Sequence, residues 1–229
     1  MNISLKAIAL LTAGCITLTS PPSMYCNAGE SPVDYVNPYI GNISHLLVPT
    51  FPTVHLPNSM LRVYPQRSDY TTEYVNGLPV VVTHHRERSA FNISPTSGAP
   101  RRPVAQYNYD NEVIKPYSVE LNDNTIKAEY APSHQSAVYS LHFNDGNAYV
   151  TVSTPNGELS AKGNQVSGWQ KLSNNTKIYL YLETEQKPEA VTSQEYGKDS
   201  SGSCYTLRFK PSVKDVNLRY GISLISEEQ

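Results

Sequence analysis

The chain has 229 residues, with 18 Lys+Arg against 20 Asp+Glu and a formal net charge of −2. It lacks the positive excess that holds a phosphate backbone, which argues against nucleic acid as a partner. Its length suits one large domain whose core closes without staples, and of the 3 Cys only Cys204 lies clear of the leader, so no disulfide framework is expected.

Met1 to Leu18 carries Lys6 followed by AIALLTAGCITL, a run too short for a stable bilayer-spanning helix and suited to the apolar part of a secretory signal. Cys26-Asn27-Ala28 places small residues where a signal peptidase cuts. Residues 1–28 therefore read as a signal peptide and 29–229 as the mature domain, exported to the periplasm or cell surface. A competing reading takes Thr12-Ala13-Gly14-Cys15 as a lipoprotein box, so that the chain meets a membrane only if Cys15 is lipidated. Ile16-Thr17-Leu18 lacks the polar or small character expected after such a box, and free export is preferred.

After residue 34 no window sustains apolar residues at helical spacing, whereas short alternating runs recur. They predict an all-β chain with strands at Ser59–Tyr64, Leu78–Thr83, Tyr117–Asn122, Thr125–Tyr130, Ala137–Phe143, Ala148–Ser153, Gln165–Lys171, Lys177–Glu183, Ser203–Lys210 and Asn217–Ile225. Asn122-Asp123-Asn124, Asn144-Asp145-Gly146-Asn147, Pro155-Asn156-Gly157, Gly163-Asn164 and Ser173-Asn174-Asn175 lie between them. Asn, Asp and Gly tolerate the positive φ of tight turns, so these clusters predict consecutive antiparallel hairpins, a meander. Two such sheets face to face would make a large antiparallel β-sandwich. Pro65 to Tyr117, interrupted by Pro95, Pro100, Pro103 and Pro116, is less regular and is expected to contain long loops.

Among 17 Tyr, 4 Phe and 1 Trp, the tyrosines either reflect ordinary strand composition or place hydroxyls at a wet, ligand-facing surface. Cys204, within SCYTLRF, reads as a small buried hydrophobe. His84-His85-Arg86-Glu87-Arg88 gathers donors beside an acid at the end of a strand. Adjacent strand residues point to opposite faces, so the two histidines cannot share a metal without a bend. The cluster reads as a solvated loop or as a polar surface, through His84 and Arg86, toward a ligand or partner domain. Arg101-Arg102 is a hydrated doublet or a partner for a carboxylate of a neighbouring domain, and Trp169 is rim or a stacking platform for a sugar ring.

No phosphate loop, nucleophile elbow or Cys/His metal spacing is present. Ser44-His45 adjacency says nothing about a triad, whose parts meet only in space. The acids are scattered, with Glu120 and Glu129 in predicted strands, Asp123 and Asp145 in turns, and Asp110 and Glu112 in a loop. No pair stands out at the separation of about 6.5–9.5 Å that an inverting glycosidase needs.

Three blocks, taken together, resemble the N-terminal domain of glycoside hydrolase family 92, the calcium-dependent exo-α-mannosidases. They are Asp34-Tyr35-Val36-Asn37-Pro38-Tyr39-Ile40-Gly41; Tyr117-Ser118-Val119-Glu120-Leu121 followed by Ile126-Lys127-Ala128-Glu129; and Leu218-Arg219-Tyr220-Gly221-Ile222-Ser223-Leu224-Ile225-Ser226. The resemblance implies a galactose-mutarotase-like supersandwich leaning on a C-terminal α/α toroid that supplies the acid and base carboxylates and most of the calcium environment.

The third block is followed at once by Glu227-Glu228-Gln229, so the chain is expected to hold neither cofactor nor catalytic residues and to be inactive alone. Mannose-containing glycans are the implied ligands, and a stand-alone carbohydrate-binding module for α-mannosides is the alternative. By the resemblance, sugar or domain-interface contacts fall on His45, Phe51 and His55, beside the His84, Arg86 and Trp169 already named. The loop Asn42–His55 departs from the family's Gly-rich pattern, with Leu and Val where glycine lets backbone approach a ligand. Ile43, Leu46, Leu47 and Val48 are expected in an exposed apolar patch that the toroid covers.

Overall fold

The computed structural model describes residues 31–38, 40, 53–65, 74–84, 88–108, 113–115, 117–121, 125–173, 175–197 and 201–226, with 84, 88 and 113–115 described by backbone alone. The leader, Cys15 and the apolar patch expected at Ile43–Val48 lie outside these residues. The chain divides after Tyr35 into two units. Of the first, the described part is a 3-10 turn at Pro32–Tyr35, whose start is capped by Ser31 N–H donating to Asp34 Oδ2 at 2.8 Å.

The second unit is built of strands, in chain order β1 (Tyr74–Asn76), β2 (Leu78–His84), β3 (Arg88–Ser97), β4 (Gln106–Asn108), β5 (Val113–Lys115), β6 (Ser118–Leu121), β7 (Ile126–Pro132), β8 (Ser136–Phe143), β9 (Ala148–Thr154), β10 (Gly157–Lys162), β11 (Gln165–Lys171), β12 (Lys177–Thr184), β13 (Ala190–Glu195), β14 (Ser203–Arg208) and β15 (Asp215–Ser223). An eight-stranded sheet runs β10-β11-β12-β15-β8-β7-β6-β5, a five-stranded sheet runs β13-β14-β9-β3-β2, and β1 pairs with β4. The expected two-sheet antiparallel sandwich is therefore the fold.

The core follows from period-2 alternation. Leu141 and Phe143 on β8, Leu180 and Leu182 on β12 and Val216 on β15 meet Ile93 on β3 and Val150 and Val152 on β9 in one fully buried cluster. Burying each such side chain contributes about 1.5–3 kcal/mol. Gln170 on β11 stitches the sheets together: its Oε1 accepts from Phe91 N–H at 2.7 Å and from Thr154 Oγ1 at 3.0 Å, and its Nε2 donates to Ser89 O at 3.4 Å. Tyr130, Tyr139 and Tyr220 also point inward, with ring centroids 5.4 and 5.9 Å apart, and Tyr220 Oη donates to Val80 O at 2.8 Å. These three rings hold their hydroxyls inside the sandwich rather than at a wet surface, and burial pushes all three phenols well above their ordinary pKa.

Several expectations need correction. The turn Gly163-Asn164 does close a hairpin, with Lys162 opposite Gln165 and Gly163 at φ 65°. Asn144–Asn147 does not, because β8 and β9 belong to different sheets. Turn residues license positive φ, as at Gly146 (66°) and Asn147 (54°), but do not dictate which strands pair. The chain changes sheet there, at 155–156, at 185–189 and at 209–214, so it is no uninterrupted meander.

Ser59–Tyr64 is not a strand. Its ladder is a single bridge, Val54 to Val63, while Met60 and Leu61 N–H groups donate to His134 O instead. Besides the expected strand at Leu78, the irregular segment 65–117 contains the ten-residue β3, with Pro95 inside it. Pro95 O accepts from Tyr107 Oη at 2.6 Å. Since N and O of one strand residue point the same way, the missing N–H faces away from β9 and breaks no ladder bond. Neither β10 nor the mostly exposed β13 was anticipated.

Candidate functional site

The outward positions of the eight-stranded sheet line up in rows fixed by register. Glu183, Arg219, Val138 and Ala131 are neighbours across β12, β15, β8 and β7, and Asn217, Ser140 and Glu129 form the next row. These two rows floor a depression of about 850 Å³, closed at its ends by Tyr117 and Asn164. Strand alternation places the side chains there, because the partner positions Leu182, Leu218 and Tyr139 are buried in the core.

The polar groups of this depression are held in fixed positions. Arg219 Nη2 donates to Glu183 Oε2 at 3.0 Å, Lys127 Nζ to Glu129 Oε1 at 2.8 Å, and Asn217 Nδ2 to Glu185 Oε2 at 2.9 Å. The bond to Glu129 is the leading cause of the raised Lys127 pKa. Carboxylate, guanidinium and amide thus alternate over an apolar floor, with Val138 53% exposed and Tyr117 45% exposed. Such a surface offers donors and acceptors to a neutral, hydroxyl-rich ligand and an apolar contact to its carbon skeleton.

Further along the same face Tyr181 stands opposite Gly221, and Trp169 opposite Tyr179. Trp169 is the one described site residue from the sequence that shares this face. It is half-buried, four ladder positions from Glu183, and one face of its indole carries Lys177 Nζ at 3.7 Å from the ring centroid. His55 is exposed, in a segment outside both sheets, with Nδ1 3.2 Å from Leu56 O. His84 ends β2 in the other sheet, described by backbone only. Trp169 and His84 thus belong to different sheets. His45, Phe51 and Arg86 lie outside the described residues, and among the described residues no cluster of three His, Cys, Asp or Glu could hold a metal. Cys204 is free and fully buried, as its apolar context suggested.

Sequence reading missed Glu183, Glu185, Asn217 and Arg219. The local signal was present for Glu183, Asn217 and Arg219, which stand at outward positions of alternating strands, while Glu185 lies just past the end of β12. What assembles them is the pairing of β12 with β15 and of β15 with β8, which no local pattern contains.

Residues 35–223 match the model of the Glycosyl hydrolase family 92 N-terminal domain. Among solved structures, a family GH92 inverting mannosidase from Bacteroides thetaiotaomicron VPI-5482 superposes with a TM-score of 0.71 at 22% identity, over 86% of this chain and 32% of that one. A family GH92 α-mannosidase from Bacteroides thetaiotaomicron gives 0.65 at 17% identity, over 86% and 34%, and a gh92 family glycosyl hydrolase gives 0.65 at 18%, over 86% and 33%. The chain spans about a third of the length of these structures. Among curated proteins none matches.

Proposed function

We propose a role from one premise: the chain belongs to the glycosyl hydrolase family 92 N-terminal domain family. In this reading the sandwich is a non-catalytic part of a mannosidase-like glycoside hydrolase. It packs on a C-terminal α/α toroid and helps to wall that toroid's mannose pocket, and any calcium belongs to the toroid. The carrying observation is the extent of the matches, since the family model takes in every described strand while the similar mannosidases run about three times as long. Export belongs to the same proposal and rests on Lys6 and the apolar run after it.

Size-exclusion chromatography of the purified chain mixed with a separately expressed family 92 C-terminal region tests this role. Co-elution is expected, and two unshifted peaks at micromolar concentration would count against it.

The depression on the eight-stranded sheet favours a second reading, a carbohydrate-binding module for α-mannosides. Calorimetry with α-mannobiose should then give a saturable isotherm that Tyr117→Ala weakens, and a flat titration removes that reading.

A further inference from the structure

A separate pocket of about 360 Å³ lies where the β1–β4 pair meets β3, lined among others by Asn76, Phe91, Asn92, Arg102, Gln106 and Tyr196. Its wall is strained. Phe91 has φ of 52° inside a strand, a left-handed conformation that costs a bulky L-residue on the order of 1–3 kcal/mol. The β2–β3 pairing accordingly skips Val80 and Phe91, running from Pro79–Asn92 to Val81–Ala90. Both released backbone groups are satisfied from the opposite sheet, Phe91 N–H by Gln170 and Val80 O by Tyr220. The core thus holds the twist at Phe91, whose own ring is buried in it beneath the pocket wall.

The polar side of the pocket is a directional chain of hydrogen bonds. Ala105 N–H donates to Ser94 Oγ at 3.0 Å, Ser94 Oγ to Asn92 Oδ1 at 2.7 Å, and Asn92 Nδ2 to Asn76 O at 3.0 Å. Gln106 Nε2 donates to Asn76 Oδ1 at 3.1 Å, and Arg102 Nη1 donates to Gln106 Oε1. The side-chain amide oxygens all face inward to these partners, which orients the Gln106 amide and, through it, the guanidinium. Arg102 keeps its other N–H donors, and Gln106 and Asn92 each keep a second amide proton. Among the described residues no carboxylate lines the pocket and none stands within ion-pair distance of Arg102. Arg101 adds a second positive charge next to it.

An oriented guanidinium with no acidic partner among the described residues, amide donors beside it and the partly exposed Tyr196 ring call for an anionic, hydroxylated ring. We infer that this pocket binds an acidic monosaccharide unit, a hexuronate. Its carboxylate pairs with Arg102, its hydroxyls accept from Asn92 and Gln106, and its C–H face rests on Tyr196. The site shares no residue with the groove on the eight-stranded sheet, so it stands or falls independently of the mannosidase role.

Isothermal titration of the full chain tests it, with glucuronate as probe, glucose as the uncharged counterpart and inorganic phosphate as the bare anion. Glucuronate should bind at least about tenfold more tightly than either control, and Arg102→Gln should weaken it by about tenfold or more. Arg102→Lys should restore part of the loss, and added salt should weaken the wild type more than Arg102→Gln. Arg102 is exposed, so unchanged thermal unfolding of the variant shows that its fold is intact. No heat with glucuronate, equal binding of glucose, phosphate binding as tight as glucuronate, or an unchanged isotherm in Arg102→Gln would each overturn the assignment.

Discussion

On the eight-stranded sheet the polar positions that alternate with the core, such as Ser136 and Ser140 on β8 and Tyr181 on β12, stand in solvent. On the five-stranded sheet the equivalent positions are sealed: Asn92 and Ser94 on β3, Thr151 and Ser153 on β9, and Cys204 and Thr206 on β14 are all buried. Ala105 N–H bonds down onto Ser94, and Tyr107 onto Pro95 O, so chain takes the place of water there. Thr151 and Thr206 satisfy each other at 2.9 Å. Period-2 alternation fixes which residues face the core. It does not say whether the other layer is water or protein, and side-chain size does: small hydroxyls and a thiol under cover, charged and long side chains in the open.

Matched substitutions give the sharpest contrast. Ser153→Asp places a carboxylate under the cover and should cost more than about 3 kcal/mol or prevent folding, whereas Ser160→Asp on the open face should stay within about 0.5 kcal/mol. Urea denaturation of the pair reads the difference, and equal effects would mean that the five-stranded sheet is not covered in solution. Gln170→Leu leaves Phe91 N–H without its acceptor inside the sandwich and should cost about 1–3 kcal/mol. Arg219→Ala, across the open face, should cost under about 1 kcal/mol, shrinking with added salt.

The covered face also carries a pH signature. Burial pushes the Cys204 thiol from 9.0 to about 11. Between those values the unfolded chain releases a proton that the folded chain keeps, so stability falls as pH rises through that window. Denaturation midpoints between pH 9 and 11 should decline in the wild type and decline less steeply in Cys204→Ala. Parallel slopes would show that the thiol is solvated.

The same contrast explains what the sequence disclosed. β7, β8, β12 and β15 were legible because one face is apolar and the other wet, which writes the period into the chain. β3 was not, because Phe91, Asn92, Ile93, Ser94 and Pro95 are buried on both faces, and its proline reads as a breaker until Tyr107 is known to take the carbonyl beside it. β13 carries little hydrophobic signal at all, being an edge strand of Thr, Ser, Gln and Glu after Ala190 and Val191. The groove was half legible: Glu129 was noticed as a strand acid, yet its neighbours across the sheet come from β8 and β15. Arg102 was noticed as half of a hydrated doublet, and only the relay through Gln106 and Asn76 gives it an orientation.

In the proposed role this sandwich supports mannoside hydrolysis without performing it. Incubating the purified chain with α-linked mannobiosides at millimolar calcium, and following free mannose, tests that directly. Release at the rate of the protein-free control is predicted, and calcium-dependent turnover by the chain alone would contradict it.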